Sequence, residues 1–179
     1  MLWEYSTEET IIHIFCFFRG LDYYSNGSDS MQYTGDHVTV PPIKTSFPKC
    51  LWDALFKISE QRGAAFYISG GTVRDHLLGK KPADLDITVH SGAVTCCRQL
   101  ISVLGSGAFV MLGTDSEEAA RVVWQGNQID FSSYRKGAQS IEEELHYRDF
   151  TVNSMAVPLH SLEQNIRTYI IDPLHGRKA

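Results

Sequence analysis

The segment from Ala64 to Val89 constrains the fold more tightly than any other stretch of the 179-residue chain. Ala64 to Ile68 is a short apolar run with strand character, broken by Gly70-Gly71. A helix from about Thr72 to Leu78 follows and closes on Gly79. After the turn Lys80 to Ala83, Asp84-Leu-Asp-Ile-Thr-Val89 alternates polar and apolar side chains, as a half-buried strand does. Strand, glycine turn, short helix and second strand together call for a sheet with helices packed on it.

The flanking sequence supplies the other elements. Leu51, Leu55 and Ile58 recur at helical spacing, with Pro48 placed to start that helix and Gly63 to end it. Ser91 is expected to cap a helix running to about Leu104, and strands follow near 108–112, 120–125 and 127–133. The turn Gln125-Gly126-Asn127 separates the last two, and the polar stretch Gly113 to Glu118 reads as a mobile loop. Residues 140–146 read as helix, Tyr147 to Ser154 as a short helix or turn, and 168–172 as a final strand. Upstream, Ser6-x-x-Glu9 is a capping-box pattern ahead of an apolar stretch that stops at Gly20, which favours a helix over 7–19. Residues 21–47, with Pro41-Pro42, read as an extended connection. The fold class is α+β, a mixed sheet with helices on it and no internal repeat.

Charge and cysteine content narrow the setting. At about 150 residues per domain the chain holds one full domain and a short remainder. The net charge is −5, and residues 1–45 hold only Arg19 and Lys44 against six acids, so no basic stripe advertises nucleic acid. Cys16, Cys50, Cys96 and Cys97 lack the two-residue spacing of a zinc or redox motif, which suits a reduced, cytoplasmic protein. The apolar run Ile11 to Phe18 contains His13 and is far shorter than the roughly 20 residues of a membrane span. Glu4, Glu8 and Glu9 stand before it where a signal peptide needs bases.

Asp84 and Asp86 carry the sharpest chemical signal. Two residues apart on a strand point to one face, with backbones roughly 6.6 Å apart. Such a pair repels itself unless a cation is present, and hard carboxylate oxygens on a rigid strand suit magnesium, which keeps waters and takes phosphate oxygens. The bland reading is two solvated charges on an open sheet face. Upstream, Ser69-Gly-Gly-Thr-Val-Arg-Asp75 leads a strand through a tight turn into a helix start, whose free N–H groups favour an anion. Gly71 permits close backbone approach. Arg74 sits in the first helical turn, where a cation is mildly disfavoured unless it serves a ligand or pairs with Asp75.

These residues resemble a known signature. GGTVRDHLLGKKPADLDI, residues 70–87, is similar to the signature of the class II CCA-adding enzyme and bacterial poly(A) polymerase family of tRNA nucleotidyltransferases. Ile129-Asp-Phe-Ser-Ser-Tyr-Arg135 is similar to that family's later acidic strand, and Arg148-Asp-Phe-Thr-Val-Asn-Ser-Met-Ala156 to its Arg-Asp-Phe-Thr-x-Asn segment. The resemblance covers about residues 48–179. It implies the family's catalytic head, with a mixed, mainly antiparallel sheet and the nucleotidyltransferase fold shared with polymerase beta. Residues 1–47 are then an N-terminal extension, either an added element packed on the head or a loosely held acidic arm.

The resemblance further implies that Asp84 and Asp86 hold two magnesium ions. Gly70, Gly71, Thr72, Arg74 and Arg148 are expected at the incoming nucleotide, with Asn153 at its sugar or serving as a local cap. Asp130 and Asp149 compete for a third acidic role. Asp130 suits a neighbouring strand, where it could help deprotonate a 3′-hydroxyl or share a metal; Asp149 has an alternative as a helix N-cap. The implied partners are ATP or CTP and the 3′ end of tRNA or another RNA, with no membrane. CCA, CC, A and poly(A) addition all remain open, as does nucleotide or RNA binding without turnover.

Two departures bear on that expectation. Tyr147 stands where the family commonly has a first arginine before Arg148-Asp149. The family's neck, with its Glu-Asp-x-x-Arg nucleotide template, should begin shortly after Ile171-Asp-Pro-Leu-His-Gly176, which makes the chain read as a head without neck, body and tail. Other candidates are weaker. His76 reads as a helix-surface residue, Ser69 lacks partners for a nucleophile triad, Gly105-Ser-Gly107 reads as a turn, and Lys80-Lys81 as solvated charges.

Overall fold

The computed structural model describes residues 42–114, 117–162 and 169–178. The expected capping box at Ser6 and Glu9, the helix over 7–19 and the connection as far as residue 41 lie outside them. Leu51, Leu55 and Ile58 fall on one face of α1 (Lys49–Arg62) and are fully buried, each contributing roughly 1.5–3 kcal/mol. Gly63 ends the helix at φ +56°, a left-handed turn for which glycine has no steric cost. A 3₁₀ turn, Ile43–Ser46, packs against α1: Ile43 and Phe47 are buried, and the Trp52 indole donates to the Lys44 carbonyl at 2.8 Å. The core therefore recruits residues just ahead of Pro48.

The sheet has six strands: β1 (Phe66–Ser69), β2 (Leu85–Val89), β3 (Ala108–Met111), β4 (Ala119–Trp124), β5 (Asn127–Ser133) and β6 (Ala156–Pro158). Their order is β3-β4-β5-β2-β1-β6. The β2–β5 pair is parallel and every other pair is antiparallel, giving the mixed, mainly antiparallel sheet expected. Three helices follow α1: α2 (Gly70–Leu77), α3 (Ala93–Leu104) and α4 (Ile141–Leu145). Leu85, Ile87, Val89, Val122, Ile129 and Phe131 join Leu55 and Leu100 of α1 and α3 in one core. Period-two alternation then leaves Asp86, Asp130 and Arg121 on the opposite face.

Several elements depart from the sequence reading. Helix α2 begins at Gly70, not Thr72, because extended Ser69 is followed by Gly70 at φ +60°, which turns the chain directly into the helix. Among the described residues of the expected final strand, Ile171 alone bridges, to Ala156, and the described sheet edge is instead β6. A three-residue strand ending in Pro158 gives almost no periodic signal, and a proline is tolerated at an edge, where no outer strand needs its N–H. His76 is buried rather than exposed, since the short α2 packs on β1, on β2 and on the 3₁₀ turn Thr151–Asn153. Among the described residues, no helix is long and apolar enough to cross a membrane.

Helix α3 is capped from a distance. Gly92, at φ +79°, holds the N-cap position, and no side chain next to it in sequence caps the helix. Glu118 accepts the N–H groups of Gly92 and Val94 at 3.0 and 3.1 Å and the Ser133 hydroxyl at 2.5 Å, while Ser133 Oγ accepts from Ala93 N–H. The polar stretch 113–118 is thus anchored at its end. Burial pushes the Glu118 carboxyl up, but the hydrogen bonds from Ser133, Val94 and Gly92 outweigh it and hold the group below its ordinary range. A lowered folded-state pKa contributes stability that is present at neutral pH and lost as pH falls through that value. Replacing Glu118 by Ala should cost about 1–2 kcal/mol in urea unfolding at neutral pH, with the gap from the parent narrowing on acidification.

Candidate active site

Thr72 sets the position of the acidic pair. Its hydroxyl donates to the Asp84 carbonyl at 3.1 Å and accepts the Asp86 N–H at 2.7 Å, and its own N–H donates to Asp86 Oδ2 at 3.3 Å. The first turn of α2 is thereby pinned to the start of β2. Thr72 is 1% exposed, and its hydroxyl and N–H anchor α2 to β2.

The glycine turn and the carboxylate meet. A Cβ on Gly70 would stand 2.9 Å from an Arg148 guanidinium nitrogen and 3.1 Å from Asp86 Oδ2, and one on Gly71 would stand 3.3 Å from Asp86 Oδ2. Gly70 is held to glycine by its φ of +60° as well as by this crowding, whereas a Cβ at Gly71 would need the Asp86 side chain to give by a few tenths of an ångström. Arg74 forms the ion pair with Asp75 at 2.8 Å that was its bland alternative. It also donates to Asn153 Oδ1 at 2.7 Å, which joins two residues expected at the nucleotide although they lie 79 positions apart.

Arg148 approaches the same turn from the interior. It donates to the hydroxyls of Ser69 and Thr88 at 3.1 and 2.8 Å, and its Nε lies 4.0 Å from Glu144. Glu144 is fully buried and also accepts from the backbone N–H and the guanidinium of Arg135. Burial pushes the Arg148 pKa down and Glu144 draws it back up, with Arg135 lowering it and Asp86 raising it. Glu144 and Arg135 escaped the sequence reading. The one local signal for this pair is the i, i+4 spacing of Glu144 to Arg148.

Asp130 and Asp149 part company here. In the parallel β2–β5 register Asp130 is the partner of Asp86, so both carboxylates share a row on one face. Asp149 is exposed beyond α4, and the N-cap of the turn Thr151–Asn153 is Phe150, not Asp149. Asp130 is gripped by Arg121, its partner on β4: Nε reaches Oδ1 at 2.6 Å and Nη2 reaches Oδ2 at 2.7 Å. Arg121 Nη2 lies 3.6 Å from Asp84 Oδ2 as well. Arg121 carries no motif of its own in the sequence, although the two-residue turn at Gln125-Gly126 dictates its pairing with Asp130.

A family model for the poly A polymerase head domain matches residues 66–179. The chain belongs to that family. It is 38% identical to the CC-adding tRNA nucleotidyltransferase of a Synechocystis strain over 109 residues, 60% of this chain and 24% of that one. It is 35% identical to poly(A) polymerase I of Salmonella typhimurium over 111 residues, 52% of this chain and 24% of that one. A solved CCA-adding enzyme in complex with ATP superimposes with a TM-score of 0.62 at 30% identity, over 78% of this chain and 33% of that one. The fold is the nucleotidyltransferase head, and this head-domain chain spans about a quarter to a third of the length of the relatives it matches.

The donor chemistry of the head's acidic face fits a hard cation. Burial raises the Asp86 carboxyl above its ordinary range; the Thr72 N–H lowers it, Asp130 raises it, Arg148 lowers it and Asp84 raises it. A cation shared by Asp84 and Asp86 would relieve that crowding. Among the described residues, no three His, Cys, Asp or Glu side chains gather to hold an ion. Two carboxylates suit magnesium, which retains waters and completes its shell with phosphate oxygens.

The raised pKa has a stability consequence. The folded chain binds the Asp86 proton more tightly than the unfolded chain, so that contribution is full below the ordinary Asp range and lost as pH rises through the folded value. Asp86→Asn in metal-free buffer should therefore melt above the parent by a margin that grows as pH rises from about 4, at about 2–4 °C per kcal/mol recovered. Melting curves across pH check this, and a margin independent of pH would count against it.

Proposed function

We propose that this head domain transfers AMP or CMP from ATP or CTP to the 3′-hydroxyl of tRNA. The observation that carries the reading is the Asp86 carboxylate lying directly against the Gly70-Gly71 turn, with Asp84 beside it and Arg74 at the same turn. Without Cβ atoms the turn admits the Asp86 carboxylate and the Arg148 and Arg74 guanidinium groups, and a triphosphate held by Arg74 would lie within reach of the carboxylates. The names of the relatives, a CC-adding tRNA nucleotidyltransferase and a poly(A) polymerase, support RNA 3′ ends as acceptors and tRNA in particular.

In this reading Asp84 and Asp86 hold magnesium, which when bound polarises the α-phosphate and stabilises the attacking and leaving oxygens. The 3′-oxygen forms a bond to the α-phosphorus, the bond from that phosphorus to the bridging oxygen breaks, and pyrophosphate leaves. Arg74 orients the triphosphate, with Asn153 holding its guanidinium. Arg148 supports Gly70 from beneath and lends positive charge to the phosphate side. Asp130, in register with Asp86 on the neighbouring strand, is the candidate to receive the hydroxyl proton. Cytoplasmic location belongs to the same proposal and is supported by Cys50, Cys96 and Cys97, all free thiols.

A second reading, nucleotide binding without turnover, draws on the grip of Arg121 on Asp130, which leaves that acid engaged. One experiment separates the two: incubate the chain with magnesium, labelled ATP or CTP and tRNA trimmed at its 3′ end. Transfer predicts label on the tRNA, and Asp84→Ala with Asp86→Ala should reduce it at least about hundredfold. Equal labelling by parent and double variant would remove the assigned site. Nucleotide retained on the protein without labelled tRNA would favour the second reading.

A further inference from the structure

Arg121 has a consequence for how the acidic face takes up a cation. Arg121, Asp130 and Asp86 lie in one row across β4, β5 and β2, because Arg121 pairs with Asp130 and Asp130 with Asp86. Nε and Nη2 fork onto Asp130, Nη1 donates to Gln128, and Nη2 also reaches toward Asp84. Only an arginine can make this fork while extending to a second carboxylate. The Asp130 hydrogen bonds push the guanidinium pKa up, so it remains charged.

We propose that Arg121 is a resident counter-cation of the carboxylate row: it weakens the uptake of a lone divalent ion and makes that uptake depend on an anionic triphosphate arriving with it. This rests on the reading of Asp84 and Asp86 as the ion's ligands. Three carboxylates carry a formal charge of minus three, and Arg121 and Arg148 return two of it, so a lone dication meets a nearly balanced site and a guanidinium against its own ligand. The Arg121 and Asp84 side chains are 27% and 34% exposed, so water and salt screen the repulsion partly but not fully. A triphosphate adds several negative charges and supplies oxygen ligands, which offsets the effect of the guanidinium.

The test is Mn²⁺ binding to the 179-residue chain, read from the electron paramagnetic resonance signal of free Mn²⁺ at fixed ionic strength. Without nucleotide, Arg121→Gln and Arg121→Met should each bind Mn²⁺ about fivefold or more tightly than the parent, and Arg121→Lys should stay near the parent. Adding α,β-methylene-ATP should tighten the parent more than either charge-free variant. Far-UV circular dichroism identifies the folded variants, and either neutral one is enough to read the result. If Asp84→Asn with Asp86→Asn abolishes binding while the neutral Arg121 variants match the parent or bind more weakly, the role of Arg121 is overturned and the site assignment stands. If the double Asn variant binds Mn²⁺ like the parent, the site assignment fails and the inference about Arg121 falls with it.

Discussion

The contact between the Asp86 carboxylate and the backbone of the first turn of α2 is the constraint on which the rest of this structure depends. It favours glycine at both positions of the turn, most strongly at Gly70, where φ is +60° and a Cβ would crowd Arg148 and Asp86. It relies on Thr72, whose hydroxyl links the Asp84 carbonyl to the Asp86 N–H. The arrangement places a partly buried acid where burial works against its charge, a local instability that a bound cation would remove.

Buried ion pairs support that contact from behind. Glu144, fully buried, lies between Arg135 and Arg148 and fixes the chain leaving β5 to the far side of the glycine turn. Removing one member would leave an uncompensated interior charge, so such a network fixes position more than it adds net stability. Tyr147, next to Arg148 in sequence, is exposed, and Lys136 lies over its ring at 4.9 Å. Tyr147 therefore sits outside the buried network.

Much of the fold was legible because local periodicity matched tertiary burial. Leu51, Leu55 and Ile58 marked α1, alternation in Asp84 to Val89 marked β2, and the turn at Gln125-Gly126 separated β4 from β5. What escaped was held by distant partners. Ser91 looked like a cap by position, yet the carboxylate that caps α3 comes from Glu118, 24 to 26 residues away. Residues 168–172 had strand-like composition, yet the edge went to Ala156–Pro158, which fits beside Tyr67 and Ser69. His76 had helical spacing consistent with the surface, but α2 is short and enclosed.

By itself, the sequence determined the pieces of the site: the glycine pair, the Asp-x-Asp strand, the Ile-Asp-Phe strand and the Arg-Asp-Phe-Thr segment, since the period of a strand places Asp84 and Asp86 on one face. Tertiary structure decided how those pieces are used. Asp130, not Asp149, stands beside Asp86, because parallel register between β2 and β5 is set by packing across the sheet and not by neighbours in sequence. The hairpin register of β4 on β5 then puts Arg121 at the end of that row, and the packing of α2 against β2 sets the Thr72 hydroxyl between Asp84 and Asp86. Charges and hydroxyls can be enumerated along a chain, but which of them neutralise one another depends on distances that only the closed sheet creates.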